Sequence, residues 1–322
     1  MIQYLLGRLI HSVIILLLLS MAIYTMLGLM PGDPIDLLIT SNPSVKTEDL
    51  VRLKKVYGLD RPLHIRYLKW LHQVVIKRDF GFSRVYKQPT LEIMQGRIYN
   101  TLKLMLAAFI VSLIFAIPIG IYSATHQYSL PDYIFSIGAF AGISIPSFWL
   151  GIMLIMIFSE KLGILPAGGM GTIGIHDFSD KIKFFILPVL SIGLQTTGYW
   201  IRYLRSSMLE VIRQDYIRTA RAKGLDEETV LYKHALKNAL IPLITIMALS
   251  LPALVSGATI TEMIFSWPGM GRLLLESVMS TDYYVAMIAF LFLAALTLLS
   301  NLLADLLYAV ADPRIRIRGD HG

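Results

Sequence analysis

Six long stretches free of Asp, Glu, Lys and Arg limit what this chain can fold into. They run Leu9–Met30, Leu104–Ala124, Tyr133–Ser159, Phe184–Ile201, Ala239–Ile260 and Tyr284–Ala304. Each reaches or approaches the ~20 residues needed to cross a bilayer as a helix. A lysine or arginine at the centre of such a helix would cost roughly 2.5–3.5 kcal/mol, and none sits there. Overall composition agrees: 55% of residues are hydrophobic and only 16% charged, against about 25% charged in a soluble domain. The expected fold is all-α: one polytopic membrane domain of about six transmembrane helices with an external helical loop. Its expected parts are a cytoplasmic tail at 1–8, the transmembrane domain at 9–310, and a second cytoplasmic tail at 311–322. The external loop takes 31–97 and a cytoplasmic loop takes 206–238. The first run, about 22 residues long, exceeds the 7–15 residue core of a cleaved signal, so it is expected to remain as a span.

Charge sets the expected orientation. Eight Lys and Arg lie between Arg202 and Lys237, and Arg314, Arg316 and Arg318 follow near the end. Short loops rich in cations stay in the cytoplasm, which puts both termini there. The 31–97 segment also carries twelve Lys and Arg, but long loops cross largely regardless of charge. The formal net charge of +7 therefore speaks for topology and anionic lipid rather than nucleic acid.

The external loop reads as helical. Thr47 suits an N-cap for Glu48–Tyr57, with Gly58 as its stop. Pro62 suits the first turn of a second helix, on which Leu63, Tyr67, Trp70, Leu71 and Val74 share one face. That face fits either a membrane surface or the protein's own spans.

No catalytic constellation is visible. There are no cysteines, which excludes disulfides, thiolate metal sites and cysteine nucleophiles. No Gly-Lys dipeptide exists, so there is no phosphate-binding loop for ATP. Gly169-Met170-Gly171-Thr172-Ile173-Gly174 matches a dinucleotide glycine pattern, but its flanks lack the required strand and helix; it reads as a plain glycine-rich loop. Within the spans, polarity is mild. Gln195, Ser256, Thr259, Glu262 and Asn301 are candidates for a wet path; Ser256, Thr259 and Glu262 fit interhelical hydrogen bonds equally well. Gly138 with Gly142, and Ser147 with Gly151, are small-x-x-x-small pairs suited to close helix packing. A stand-alone channel or secondary carrier would need an ionisable group deep in a span, and none is found. A membrane enzyme would need clustered His, Asp and Glu at the bilayer edge; His176, Asp177 and Asp180 are too sparse.

The segment Ser206–Asn238 stands apart. Met208, Ile212, Tyr216 and Ala220 repeat every four residues as an amphipathic stripe. Lys223 followed by Gly224 reads as a helix end, and Asp226, Glu227 and Glu228 as the cap and first turn of the next helix. Two short helices joined by a bend fit a partner's cleft, and they fit lipid headgroups as well.

The motifs then converge. Tyr216–Pro242 resembles the coupling loop of ABC-importer permeases, in particular the first membrane subunit of the dipeptide/oligopeptide/nickel permease family. Further pieces match in order: Pro31-Gly32-Asp33-Pro34, Tyr57–Leu63, Asp79-Phe80-Gly81-Phe82-Ser83, Ile145-Pro146-Ser147-Phe148-Trp149, Phe265–Gly271 and Ala311–Arg316. Arg218-Thr219-Ala220 replaces the Glu-Ala-Ala with which the general importer loop begins, a departure usual in this branch. The resemblance implies a pore subunit that is not itself an enzyme and holds no cofactor, ATP and Mg binding elsewhere. The implied partners are a second homologous permease subunit, two ATPase subunits, an external solute-binding protein and inner-membrane lipid. Thr219, Ala220, Arg221, Ala222, Lys223, Gly224 and Leu225 would couple to the ATPase. Di- or oligopeptide is the favoured substrate, with nickel chelate, glutathione and oligosaccharide as alternatives.

Overall fold

The computed structural model describes residues 2–29, 61–175, 177–250, 252–253 and 258–311, with side chains described at 7–29 and up to 304. Eleven α-helices are described: α1 Ile2–Leu29, α2 Leu63–Val75, α3 Thr90–Thr125, α4 Leu130–Ser144, α5 Ser147–Leu154, α6 Phe178–Ile212, α7 Asp215–Ala222, α8 Lys237–Leu249, α9 Thr259–Ile264, α10 Met270–Met279 and α11 Tyr283–Ala311. π-helical segments follow α5 at Ile155–Lys161 and precede α8 at Thr229–Leu236. Among the described residues, four helices are long and apolar enough to cross a bilayer, at Gly7–Leu29, Thr90–Thr125, Phe178–Ile212 and Tyr283–Ala304; the bent pair Leu130–Ser144 and Ser147–Lys161 makes a fifth if it counts as one span.

The differences from expectation have physical causes. The run Tyr133–Ser159 is not one straight helix but two, bent by 108°. Pro146 disfavours helical backbone at the residue before it, and Ile145 is extended at ψ 125°. Phe184–Ile201 is the middle of a much longer helix, because charged residues end an apolar run without ending the helix. The run Ala239–Ile260 contains α8, of only 13 residues, and the start of α9. Ser256 and the Thr47–Gly58 helix lie outside the described residues, as do Pro31–Pro34, His176 and Asp312–Arg316.

The chain divides into two compact units, Met1–Tyr99 with Met270–Leu298, and Asn100–Gly269 with Leu299–Gly322. In the first, α2 packs against α1. Trp70 is buried, Tyr67 meets Ser20 Oγ at 2.7 Å, and Tyr24, Tyr67 and Trp70 form an aromatic cluster with centroids 5.6–6.0 Å apart. The apolar face of α2 therefore covers its own protein. The Asp79–Ser83 motif is a lock. Gly81, at φ 81°, lies so close to Tyr284 that no Cβ fits. Ser83 is fully buried and donates to Asp282 Oδ2 at 2.5 Å, and the Val85 N–H donates to the same oxygen at 3.2 Å. Asp282→Asn puts a donor where two donors already point. We expect it to lower stability by about 1–3 kcal/mol, read as an earlier melting transition of the purified protein, with Ser83→Ala having a smaller effect.

In the second unit α4 lies directly on α6. A Cβ at Gly198 would fall 2.5 Å from the Ala139 carbonyl oxygen, and one at Gly142 3.0 Å from that of Leu194. Small residues bring the two backbones into contact, as membrane helices often require. Gly138, expected in this seam, is exposed and has nothing within 4 Å. Ala139, one residue on, takes its place. Gly151 of the other expected pair does pack closely, against Ile264 and Phe265. The Gly169–Gly174 loop also meets protein. The Gly169 N–H donates to Phe265 O at 2.8 Å, and the Thr172 N–H and hydroxyl donate to Asp180 at 2.7 and 2.9 Å.

Candidate functional site: a rooted elbow and a midspan cavity

The elbow is built by local chemistry. Helix α6 stops at Ile212, and Arg213 and Gln214 break it, Gln214 being extended at ψ 151°. Helix α7 then runs to Ala222, where the Lys223 N–H donates to Thr219 O at 3.0 Å. Gly224 follows in the left-handed region at φ 77°, the conformation that a glycine after a helix end supplies without strain. Asp226 caps the next segment, its carboxylate accepting the Thr229 N–H at 2.8 Å. That bond holds the Asp226 carboxyl below the usual range.

Burial then separates root from tip. Met208, Ile217, Ala220, Val230 and Ala235 are buried in one cluster with Leu204, Ala239 and Leu243. Residues 221–228 are all exposed. The stripe expected from a four-residue repeat is corrected at one position: Tyr216 is exposed, and Ile217 is fully buried in its stead. The break at Arg213–Gln214 resets the helical phase, so a period drawn across it cannot hold. Of the other expected residues, Thr219, Arg221, Ala222, Lys223, Gly224 and Leu225 are exposed on the elbow, and Ala220 is buried at its root.

A two-pronged ion pair braces the tip. Arg221 Nε and Nη2 donate to Glu227 at 3.1 and 2.6 Å. The guanidinium holds the Glu227 carboxyl below the usual range, and Glu227 raises Arg221 in turn. With side chains 41% and 56% exposed, the pair is worth up to about 1 kcal/mol. Because the Glu227 pKa is depressed on folding, this contribution is complete above the unfolded value near 4.3 and disappears as pH falls through the folded one. The brace therefore stays intact at neutral pH.

A second pairing was invisible in sequence. Arg205 of α6 grips Asp132 of α4 through Nε and Nη2 at 3.1 and 3.0 Å, and the Tyr128 N–H donates to the same carboxylate. The partners stand 73 positions apart, so no local pattern announces them. This clamp fixes the end of α6 that leads into the elbow. Nearby, the Ser207 hydroxyl donates to Ala239 O at 2.9 Å and ties α6 to α8.

The candidate path residues scatter. Gln195 donates to the Ile145 carbonyl at 2.7 Å, satisfying the acceptor freed at the α4–α5 bend, and also lines a cavity. Glu262 is completely buried and accepts from the Thr101 hydroxyl at 2.7 Å, so it is enclosed by packing. Thr259 is half-buried at the start of α9, and Asn301 is exposed on α11. The cavity, of about 310 Å³, is walled by α3, α6 and the end of α8, including Phe109, Thr196, Tyr199, Trp200 and Ser250. Its residues sit at helical spacing on α6, but only tertiary packing reveals the space between them.

Helices long and apolar enough to span a bilayer carry an elbow rooted in their own core, and the family matches make the chain a membrane component of a transport system. Residues 116–317 match the family described as binding-protein-dependent transport system inner membrane component, and residues 1–116 match its N-terminal counterpart. The chain belongs to this family and is a multi-pass inner-membrane permease of an ABC importer of the dipeptide/oligopeptide type. It is 42% identical over 317 residues to the oligopeptide transport system permease protein AppB of Bacillus subtilis, covering 98% of this chain and 99% of that one. It is 37% identical over 318 residues to the glutathione transport system permease protein GsiC of Salmonella paratyphi A, covering 99% and 100%. The fold resembles a chain of the inward-facing MetNI methionine ABC transporter, with TM-score 0.52, 17% identity, and 69% of this chain and 97% of that one covered.

Proposed function

We propose that this chain forms the pore half of an ATP-driven importer of di- or oligopeptides. An external binding protein delivers the peptide. A second homologous permease subunit completes the pore, and two ATPase subunits dock inside the cell. Both termini and the elbow face the cytoplasm, and the 31–97 segment faces out. ATP and Mg bind in the ATPase subunits. The observation that carries this reading is the elbow: an exposed tip at 221–228 on a buried root. Ala222 and Gly224 leave the surface low, so Leu225, 40% exposed, stands out as an apolar plug between Lys223 and the acidic run Asp226–Glu228. That shape fits an apolar socket on a partner whose rim carries charges of both signs. ATP-driven closure of the ATPase pair moves the elbow, and the spans alternate between outward and inward access, provided that ATP binds the two states differently.

Peptide is favoured over glutathione because the relative named for oligopeptide has the higher identity, 42% against 37%. The test is uptake into proteoliposomes holding the whole assembly and its binding protein. ATP-dependent accumulation of a labelled tripeptide, resisting competition by glutathione, a nickel–histidine chelate and maltotriose, is the expected result. Uphill movement driven by the purified chain alone would overturn the proposal.

A further inference from the structure

We propose that the face of α2 turned away from α1 lies on the membrane and binds anionic phospholipid headgroups. The helix is pinned at a depth that suits this. A Cβ at Gly28 would fall 3.0 Å from Leu63 Cδ1. Tyr24 lies against both Tyr67 and Trp70, with ring centroids 5.6 Å away in each case. Gly28 and Tyr24 belong to the last two turns of α1, a helix long and apolar enough to cross a bilayer. Tyr24 stands about 8 Å short of the end of α1 at Leu29, at 1.5 Å per residue. Helices that lie in the membrane interface sink to a similar depth, about 5–10 Å into the boundary between headgroups and acyl chains. Tyrosine and tryptophan concentrate at the same level.

The chemistry of the free face is that of a lipid contact. Ile65, Leu68, Lys69, His72, Val75 and Ile76 are exposed and follow one another at helical spacing. They lie opposite Tyr67, Trp70, Leu71 and Val74, which pack into the protein. The four aliphatic side chains among them are 39–69% exposed, and a contiguous apolar row marks a contact surface. Around that row the charge has one sign. From Arg61 to Arg78 the chain carries Arg61, Arg66, Lys69, Lys77 and Arg78 and no Asp or Glu. Of these, Arg61, Lys69, Lys77 and Arg78 are exposed. Asp79, the next residue, turns its carboxylate onto the Gly81 N–H at 3.0 Å. Aliphatic side chains beside long cations match the edge of a bilayer, where acyl chains take the former and phosphates the latter. A zwitterionic surface would accept the aliphatic row and leave the cations without a counter-charge, whereas an anionic one attracts each of them.

The chain has no cysteine, so single cysteines can be introduced and labelled without background. Leu68→Cys and Ile76→Cys, each carrying an environment-sensitive fluorophore, are reconstituted as the full-length permease in two kinds of vesicle. One is phosphatidylcholine alone; the other adds an equal amount of phosphatidylglycerol. Both labels should be shielded from aqueous iodide, and quenched more by a spin label near the headgroup end of an acyl chain than by one near its tail. In the mixed vesicles, spin-labelled phosphatidylglycerol should quench at least about twofold better than spin-labelled phosphatidylcholine at the same mole fraction. The triple variant Lys69→Gln, Lys77→Gln, Arg78→Gln should lose that preference and keep the shielding. Labels open to iodide in both vesicles would overturn the proposal, and so would equal quenching by the two spin-labelled lipids. Shielding that arises only when loaded external binding protein is added would also overturn it, and would give the face to a protein partner. Ile76 lies just beyond the end of α2, so its label reads the face even if Leu68→Cys disturbs the helix. None of these readouts requires transport, so failure of the lipid contact and failure of the importer proposal are separate results.

Discussion

An importer carrying Ala222→Arg inserts and assembles its pore yet fails to import. Peptide uptake and the ATPase stimulation produced by loaded binding protein both fall at least tenfold, a loss of about 1.4 kcal/mol or more in docking. Ala222 is exposed, so a long cation there leaves the fold alone and, on the proposed docking, blocks the partner's socket. Gly224→Pro reaches the same end by another route. Gly224 holds φ at 77°, whereas proline fixes φ near −65°, so the elbow cannot turn. Lys223→Ala, which removes only an exposed charge, is the mild control. Normal uptake and normal stimulated ATPase in the Ala222→Arg assembly would remove the elbow from the coupling route.

Gly198→Val gives the largest effect on the fold itself. The new Cβ meets a backbone carbonyl, which cannot rotate aside as a flexible side chain can, and overpacking of this kind costs about 1–3 kcal/mol or more. Helix α4 must then shift away from α6, straining the Asp132–Arg205 clamp at the other end of the seam. A markedly earlier melting transition of the purified permease, with loss of assembly on size-exclusion chromatography, is the expected result. Gly138→Val, with open space around it within the chain, leaves melting unchanged. Equal stability of the two variants would show that the seam runs elsewhere.

What could be read from sequence follows the range of the interaction concerned. The elbow was legible because its parts are neighbours: a helix end, a left-handed glycine and an aspartate cap within a dozen residues. The spans were legible as apolar runs, but their ends were not, since α6 continues as helix well past the end of its uncharged run at Ile201. The Arg213–Gln214 break carries neither glycine nor proline, so the stripe was drawn through it and chose Tyr216 over Ile217. Glu262 looked like a polar group on a path and is a buried acceptor for Thr101, 161 positions away. The Asp132–Arg205 clamp and the cavity depend on which helix faces which. A single sequence records no such pairing unless a motif marks it. Where motifs existed, as at Asp79–Ser83 and Phe265–Gly271, the structure explains them as tight joints: Trp267 donates to Asn100 O at 3.1 Å, and Asn100 donates back to Pro268 O at 3.0 Å.

Helix α6 has 35 residues, about 52 Å at 1.5 Å per residue, against a hydrocarbon core of about 30 Å. It bears the cavity wall at its midpoint and ends three residues before α7. A rod of that length acts as a lever: a sideways push of its elbow-side tip swings Trp200 and Tyr199 in proportion to their distance from the pivot. A push at the elbow end can thus reshape the space beside Gln195 through the stiffness of a single helix.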